Sequence, residues 1–306
     1  MAETQIPMTK QRRLSSWLRN PVTVKELRGR MRGRRAFAVL TLYLLVLSGV
    51  ITLVYLAYTS GANGVGSTAA RTAGKGLFAA VLAVQVFLVV FIGPAFTAGA
   101  ISGERERQTF DLLRTTLLSA ESFVLGKLIS ALSYVFLLVL VSIPLQSIAF
   151  LLGGLSLTEL ILSQLLILVA AVAYALYGLW CSATMRTTLA ATVTTFAGTL
   201  FATFGVPLLV GAAVVLFSTI QLFGAAFEAT LLYGGLVLAA TNLPATLIVS
   251  EIILLEEDSL FFFSQFIGGT RVWLFSPWTL FILLHVLAAV LLYVLTVRRV
   301  RQVSEV

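Results

Sequence analysis

Charge is what this sequence has least of. Asp, Glu, Lys and Arg together make up 11% of its 306 residues, against about 25% in an ordinary soluble domain. That excludes a water-soluble globule. Cysteine occurs once, at Cys181, so no intrachain disulfide can form. Its place in an apolar run makes it a small buried hydrophobe rather than a reactive thiol. Histidine also occurs once, at His285, and no carboxylate lies near it in sequence. It therefore offers no histidine metal site, and hydrogen bonding inside a helix bundle is the expected use of its ring. A phosphate-binding loop is missing too. Gly74-Lys75 would need Gly five residues before Gly74 and Ser or Thr after the lysine. Ala69 and Gly76 stand there instead, so no nucleotide site is expected in this chain.

What the sequence does have is long apolar runs. Hydrophobic residues reach 59%, the mean hydropathy is +1.00, and several runs approach or exceed the ~20 residues that cross a bilayer core as helix. The expectation is an all-α polytopic membrane protein. Six transmembrane helices are predicted at about 36–58, 76–101, 128–152, 157–183, 189–217 and 278–297, within one membrane domain over 36–306. Ser156-Leu157-Thr158-Glu159 reads as a capping box opening the fourth span, and Ser119 as the cap of a helix that runs into the third. Two apolar stretches within 229–257 are each too short to span, and Asn242-Leu243-Pro244 breaks them. The acidic Glu256-Glu257-Asp258 that follows reads as a solvated surface run.

The few charges are concentrated. Residues 1–35 carry ten bases and two acids. Asn20-Pro21 opens a helix there, with Val24, Leu27 and Met31 on one face, so an interfacial amphipathic helix is expected on a leaflet surface. Arg298, Arg299 and Arg301 close the last span. With both termini cytoplasmic, the loops at 102–127 and 185–188 also lie inside, and of the 21 bases only Arg71, Lys75 and Arg271 fall outside. This follows the positive-inside rule. Both ends inside requires an even number of crossings, so 229–257 is expected to enter and leave on the outer side as a re-entrant hairpin, covered by protein; one kinked full span is the alternative. The bases beside membrane spans suit anionic lipid, and no nucleic-acid-binding signature accompanies them.

Polar groups inside spans are the remaining candidates for function. Gln85, Gln146 and Gln164 should face the bundle interior, either hydrogen-bonding between helices or lining a path. Thr194, Gly198 and Ala202 form a small-residue stripe for close helix packing. No catalytic constellation is found, and no enzymatic activity is expected of this chain. The longest charged insert is 102–127, with four acids and four bases in 26 residues. Within it a short helix could set Phe110, Leu113 and Leu117 on one side and charges on the other, a surface suited to docking a soluble partner.

At this insert the sequence resembles a known family. Ile101-Ser102-Gly103-Glu104-Arg105-Glu106-Arg107-Gln108-Thr109-Phe110-Asp111-Leu112-Leu113, with Leu117-Leu118-Ser119 and Leu125-Gly126-Lys127, is similar to the signature of ABC-2 type transporter permeases. Asn20-Pro21-Val22 with Glu26-Leu27-Arg28-Gly29-Arg30, and Ser276-Pro277 before the last span, are similar as well. Gln108 departs from the pattern, standing where the family often has Gly, and Thr116 stands where it often has Pro. The resemblance implies the membrane subunit of a prokaryotic ATP-binding-cassette exporter, multi-pass in the cell (inner) membrane. It implies a coupling helix in 102–127 that seats on a separate ATPase subunit through Glu104, Arg105, Glu106, Arg107, Phe110, Asp111, Leu113, Arg114 and Leu117. ATP and magnesium would belong to that partner, and a second permease subunit, the same or different, would pack beside this one through spans 1 and 5, with Thr194, Gly198 and Ala202 of span 5 as the packing contact. A non-transporting scaffold that transmits force through the same parts is the alternative.

Overall fold

The computed structural model describes residues 34–61, 67–108, 119–219, 225–257, 260–267 and 270–305. The chain is mostly helical. In order come α1 (Arg34–Gly61), α2 (Ser67–Thr97), the short α3 (Ser102–Glu106), α4 (Ala120–Leu151), α5 (Leu157–Thr184) and α6 (Thr188–Leu200). One π-helical turn, Phe201–Gly205, joins α6 to α7 (Val206–Thr219), and α8 (Ala225–Ala239) and α9 (Leu243–Glu257) follow. Two strands, β1 (Phe262–Ile267) and β2 (Thr270–Phe275), precede α10 (Pro277–Glu305). The helix expected before residue 34 lies outside the described residues, as do Phe110, Asp111, Leu113, Arg114 and Leu117.

Among the described residues, six helical segments are long and apolar enough to cross a membrane: Phe37–Tyr58, Ala70–Glu106, Ala120–Leu151, Leu157–Thr184, Thr188–Leu209 and Pro277–Gln302. Their number is the expected six, and each overlaps one expected span, with ends that differ by up to eight residues. Their starts follow from local chemistry. Ser119 accepts a hydrogen bond from the Ser122 backbone N–H at 3.3 Å. Ser156 and Glu159 form the reciprocal box, at 3.2 Å from Glu159 N–H to Ser156 Oγ and 3.0 Å from Ser156 N–H to Glu159 Oε2. Thr187 caps α6 through Ala190 N–H at 3.2 Å. Each such cap satisfies backbone donors that the helix leaves open, worth about 1 kcal/mol.

Helix α5 is the most buried of the six and packs lengthwise against α2 and α10. Gly178 allows this approach. A Cβ there would lie 2.1 Å from Thr97 Oγ1 and 3.3 Å from Thr195 Cγ2, so α2 and α6 close onto α5 where it has no side chain. One apolar core, with Phe78, Leu82, Leu166, Leu243 and Phe281, fills the bundle from its middle toward the N-terminal ends of α2 and α5. A second, with Ile101, Phe123, Val124, Leu179 and Val300, fills the other end. The outer faces of α1 and α10 carry exposed Leu45, Leu53, Leu283 and Leu291, the composition a lipid-facing surface requires.

The 229–257 region is two helices broken where the sequence places the break. The turn between α8 and α9 is buried, with Ala240, Asn242 and Leu243 almost wholly covered. Asn242 explains the π turn in span 5. A π turn leaves carbonyls without their usual partners, and the Asn242 Nδ2 group donates to Ala202 O at 2.7 Å and Thr203 O at 2.8 Å. Its Oδ1 accepts from Ala245 N–H at 3.0 Å and caps α9.

The all-α expectation needs one addition. β1 and β2 pair antiparallel, with Phe262 opposite Phe275 and Ile267 opposite Thr270. Phe262, Phe266 and Trp273 are exposed, and by strand alternation they share one face. Arg271 lies over the Trp273 ring at 5.2 Å and donates to Ser264 Oγ at 3.0 Å. The hairpin is tied to the helices by Tyr233 Oη donating to Trp273 O at 2.8 Å and Trp278 Nε1 donating to Leu260 O at 2.6 Å.

Candidate functional site

The charged insert begins where α2 ends. Pro94 removes one backbone donor near the end of α2, and after Thr97 the chain turns into α3. Ile101 supplies no side-chain cap for α3. Ser182, from α5, does so across the chain: its Oγ accepts from Ile101 N–H at 2.9 Å and Ser102 N–H at 3.0 Å.

Three consecutive charges then grip three different helices. Glu104 Oε1 accepts from Lys127 Nζ of α4 at 2.5 Å. Arg105 donates to Met185 O at 3.3 Å and Ala183 O at 3.2 Å, covering carbonyls that α5 leaves open at its C-terminus. Glu106 accepts from Thr188 N–H at 2.7 Å and Thr188 Oγ1 at 2.6 Å, at the N-terminus of α6, where negative charge is favoured by the helix dipole. Lys127 is buried to 7% side-chain exposure, with its Nζ 5.5 Å from the centre of the Phe123 ring. At the rim, Arg301 of α10 meets Glu121 of α4 at 3.0 Å, both more than half exposed, a pair of little energetic weight.

The geometry thus gives Glu104, Arg105 and Glu106 partners inside the chain, whereas the sequence offered them as part of an outward docking face. Glu104 and Arg105 are half-buried, and Arg107 is exposed. Contacts with residues 23 to 82 positions away carry no local signal, so the alternating charges read simply as surface. Gln108, the departure from the resembled pattern, has φ of +56°. That is the left-handed region glycine favours, and a side chain there costs about 1 kcal/mol. Gln108→Gly should leave stability unchanged or raised by up to about 1 kcal/mol, and Gln108→Val should lower it by about 1–2 kcal/mol, read by thermal unfolding of the two variants side by side.

The three intramembrane glutamines come together. Gln85 of α2, Gln146 of α4 and Gln164 of α5 are all buried. Gln146 Nε2 donates to Gln85 Oε1 at 3.0 Å, Gln164 Nε2 to Gln146 Oε1 at 3.1 Å, and Gln85 and Gln164 exchange bonds at 3.3 Å in both directions. Gln85 Nε2 also donates to Ser142 Oγ, which in turn donates to Val139 O at 2.6 Å. The result is one closed amide cluster joining three helices.

The Thr194, Gly198 and Ala202 stripe is used within the chain. A Cβ on Gly198 would lie 2.2 Å from Tyr177 Oη, Tyr177 Oη donates to Thr194 O at 3.4 Å, and the Ala202 carbonyl accepts from Asn242. The outward side of span 5 is a different ridge, with exposed Leu189, Val193, Phe201, Phe204 and Leu208. His285 stacks on Phe281 with ring centroids 3.8 Å apart, and its Nδ1 lies 3.0 Å from Phe281 O. Cys181 is fully buried.

A scan against protein-family models finds no match for this sequence, and a search of curated proteins finds no match either.

Proposed function

We propose that this chain is the membrane subunit of an ABC-2 type exporter, coupling ATP hydrolysis in a separate ATPase subunit to movement of a substrate across the cell membrane. The observation that carries the reading is the triple grip of Glu104, Arg105 and Glu106. A push on the 102–127 loop would reach α4, α5 and α6 through bonded contacts rather than through a loose tether, as a transmission element between two conformations requires. The six apolar helices and the placement of basic residues support a multi-pass protein of the prokaryotic inner membrane with both termini cytoplasmic. On that topology, α8 and α9 enter and leave on the outer side.

The division of labour follows. Phe110, Leu113 and Leu117, with Arg107, Asp111 and Arg114, form the face presented to the ATPase, which holds ATP and magnesium. Glu104, Arg105 and Glu106 fix the root of that face to the bundle. A second permease subunit would meet span 5 on the Leu189–Leu208 ridge, because the small-residue stripe is filled from within. Gln85, Gln146 and Gln164 mark the polar centre of the bundle, where cargo would pass only if the cluster opened.

A Glu106→Lys/Leu113→Glu variant tests this. In the complex isolated through a tag on the full chain, it should release the ATPase or lose its stimulated hydrolysis by tenfold or more. Unchanged co-purification together with unchanged hydrolysis would overturn the assignment. A complex that hydrolyses ATP normally but moves no amphipathic dye in vesicles would favour the force-transmitting scaffold.

A further inference from the structure

At the end of the bundle opposite Glu104, the N-terminal turns of α5 meet α9 and α2 around a small cavity of about 20 Å³. Among its lining residues are Glu159 and Ser163 of α5 and Ser250 and Glu251 of α9, set among Phe78, Leu247 and other apolar side chains. The volume admits one water-sized sphere. We propose that this cavity is a binding site for a dehydrated monovalent cation of sodium's size, held by oxygen atoms of Glu159, Ser163, Ser250 and Glu251.

Four observations carry the assignment. First, Ser250 is 2% exposed, and its Oγ is buried without a hydrogen-bond partner. A buried hydroxyl left so is destabilising unless something occupies the space beside it. Second, the other oxygens keep lone pairs to give. Ser163 Oγ donates to Leu160 O at 2.9 Å and so can still accept, and Glu159 uses Oε2 on the Ser156 N–H, leaving Oε1. Third, a second carboxylate, Glu159, lines the same cavity as Glu251, and the charges that act on Glu251 are Glu159 and Lys75 of α2. Burial, with Glu159 close by, pushes the Glu251 carboxyl above the usual carboxylate range, and Lys75 offsets part of this. Fourth, the donor set selects against other ions. Magnesium keeps several waters and calcium takes six to eight oxygens, which a one-water cavity does not hold. Among the described residues, no group of three or more His, Cys, Asp and Glu side chains converges to bind a metal.

The site does not depend on the ATPase reading. It ties α9 to α5 and α2, so an occupied cavity would stabilise the outer ends of these helices against one another.

Thermal unfolding of the full chain in detergent, in sodium chloride or choline chloride at equal ionic strength and mildly alkaline pH, tests it. Sodium should raise the midpoint saturably, by several degrees, and choline should not. Ser250→Ala and Glu251→Gln should each lose most of the sodium response while keeping their midpoints in choline. A wild-type midpoint no higher in sodium than in choline would overturn the proposal, leaving a buried water or a proton on Glu251 as the occupant. So would a sodium response undiminished in both variants. Should either variant fail to fold, the wild-type comparison and Ser163→Ala decide.

Discussion

Lys127→Met should destabilise the protein by about 2–4 kcal/mol, and adding Glu104→Leu should recover at least half of that loss. Lys127 is buried and Glu104 retains 27% side-chain exposure. Removing one member of a fully buried ion pair costs about 3–5 kcal/mol, because the other charge is left without compensation in a low-dielectric site. The partial exposure of Glu104 lowers the expected figure. Replacing both residues removes the stranded charge, and two apolar side chains can pack against Phe123 and Val124, which line the same end of the bundle. Unfolding of the single and double variants in detergent reads the difference directly. A double variant no more stable than Lys127→Met alone would mean that the pair acts through packing and not through charge.

Gln85→Leu should cost about 1–3 kcal/mol, more than Gln164→Leu, and the triple leucine variant at 85, 146 and 164 should be at least as stable as the worst single variant. Gln85 bonds Ser142, Gln146 and Gln164. Its loss takes a partner from Ser142, Gln146 and Gln164 and leaves the last two amides with only their mutual bond, while losing Gln164 breaks bonds to two partners only. Bonds between helices inside membranes measure about 0.6 kcal/mol on average and at most about 1.7, so several lost together reach the stated range. In the triple variant no amide is stranded. Denaturant unfolding of the set checks the order. A triple variant much worse than any single one would show that the three amides hold the bundle through more than their mutual bonds.

Much of the helical frame was legible because its signals are local. Apolar length sets the spans, and the Ser119, Ser156 and Glu159 caps are read from residues three apart. Asn242-Leu243-Pro244 breaks α8 from α9 for reasons that lie in those residues themselves. What was not legible depends on distant partners. The π turn at Phe201–Gly205 exists beside Asn242, some 40 residues on. The charges at 104–106 face α4, α5 and α6, yet their alternation looks like any solvated loop. Gly198 reads as a contact for a neighbouring protein until Tyr177 is found against it. The β1–β2 hairpin did leave a sign. Gly268-Gly269 lies between two runs of β-formers, a hairpin signal, but so much aromatic and apolar content beside membrane spans hid it.

The central claim is that the 102–127 loop seats on an ATPase. A photo-crosslinking amino acid in place of Phe110, activated in the membranes of the source cell, tests it most directly. The account predicts one dominant adduct, between this chain and a soluble protein whose peptides include a phosphate-binding loop, which disappears when Leu113→Glu is added. An adduct confined to lipid or to a second copy of this chain, or one to a protein on the outer side of the membrane, would contradict it.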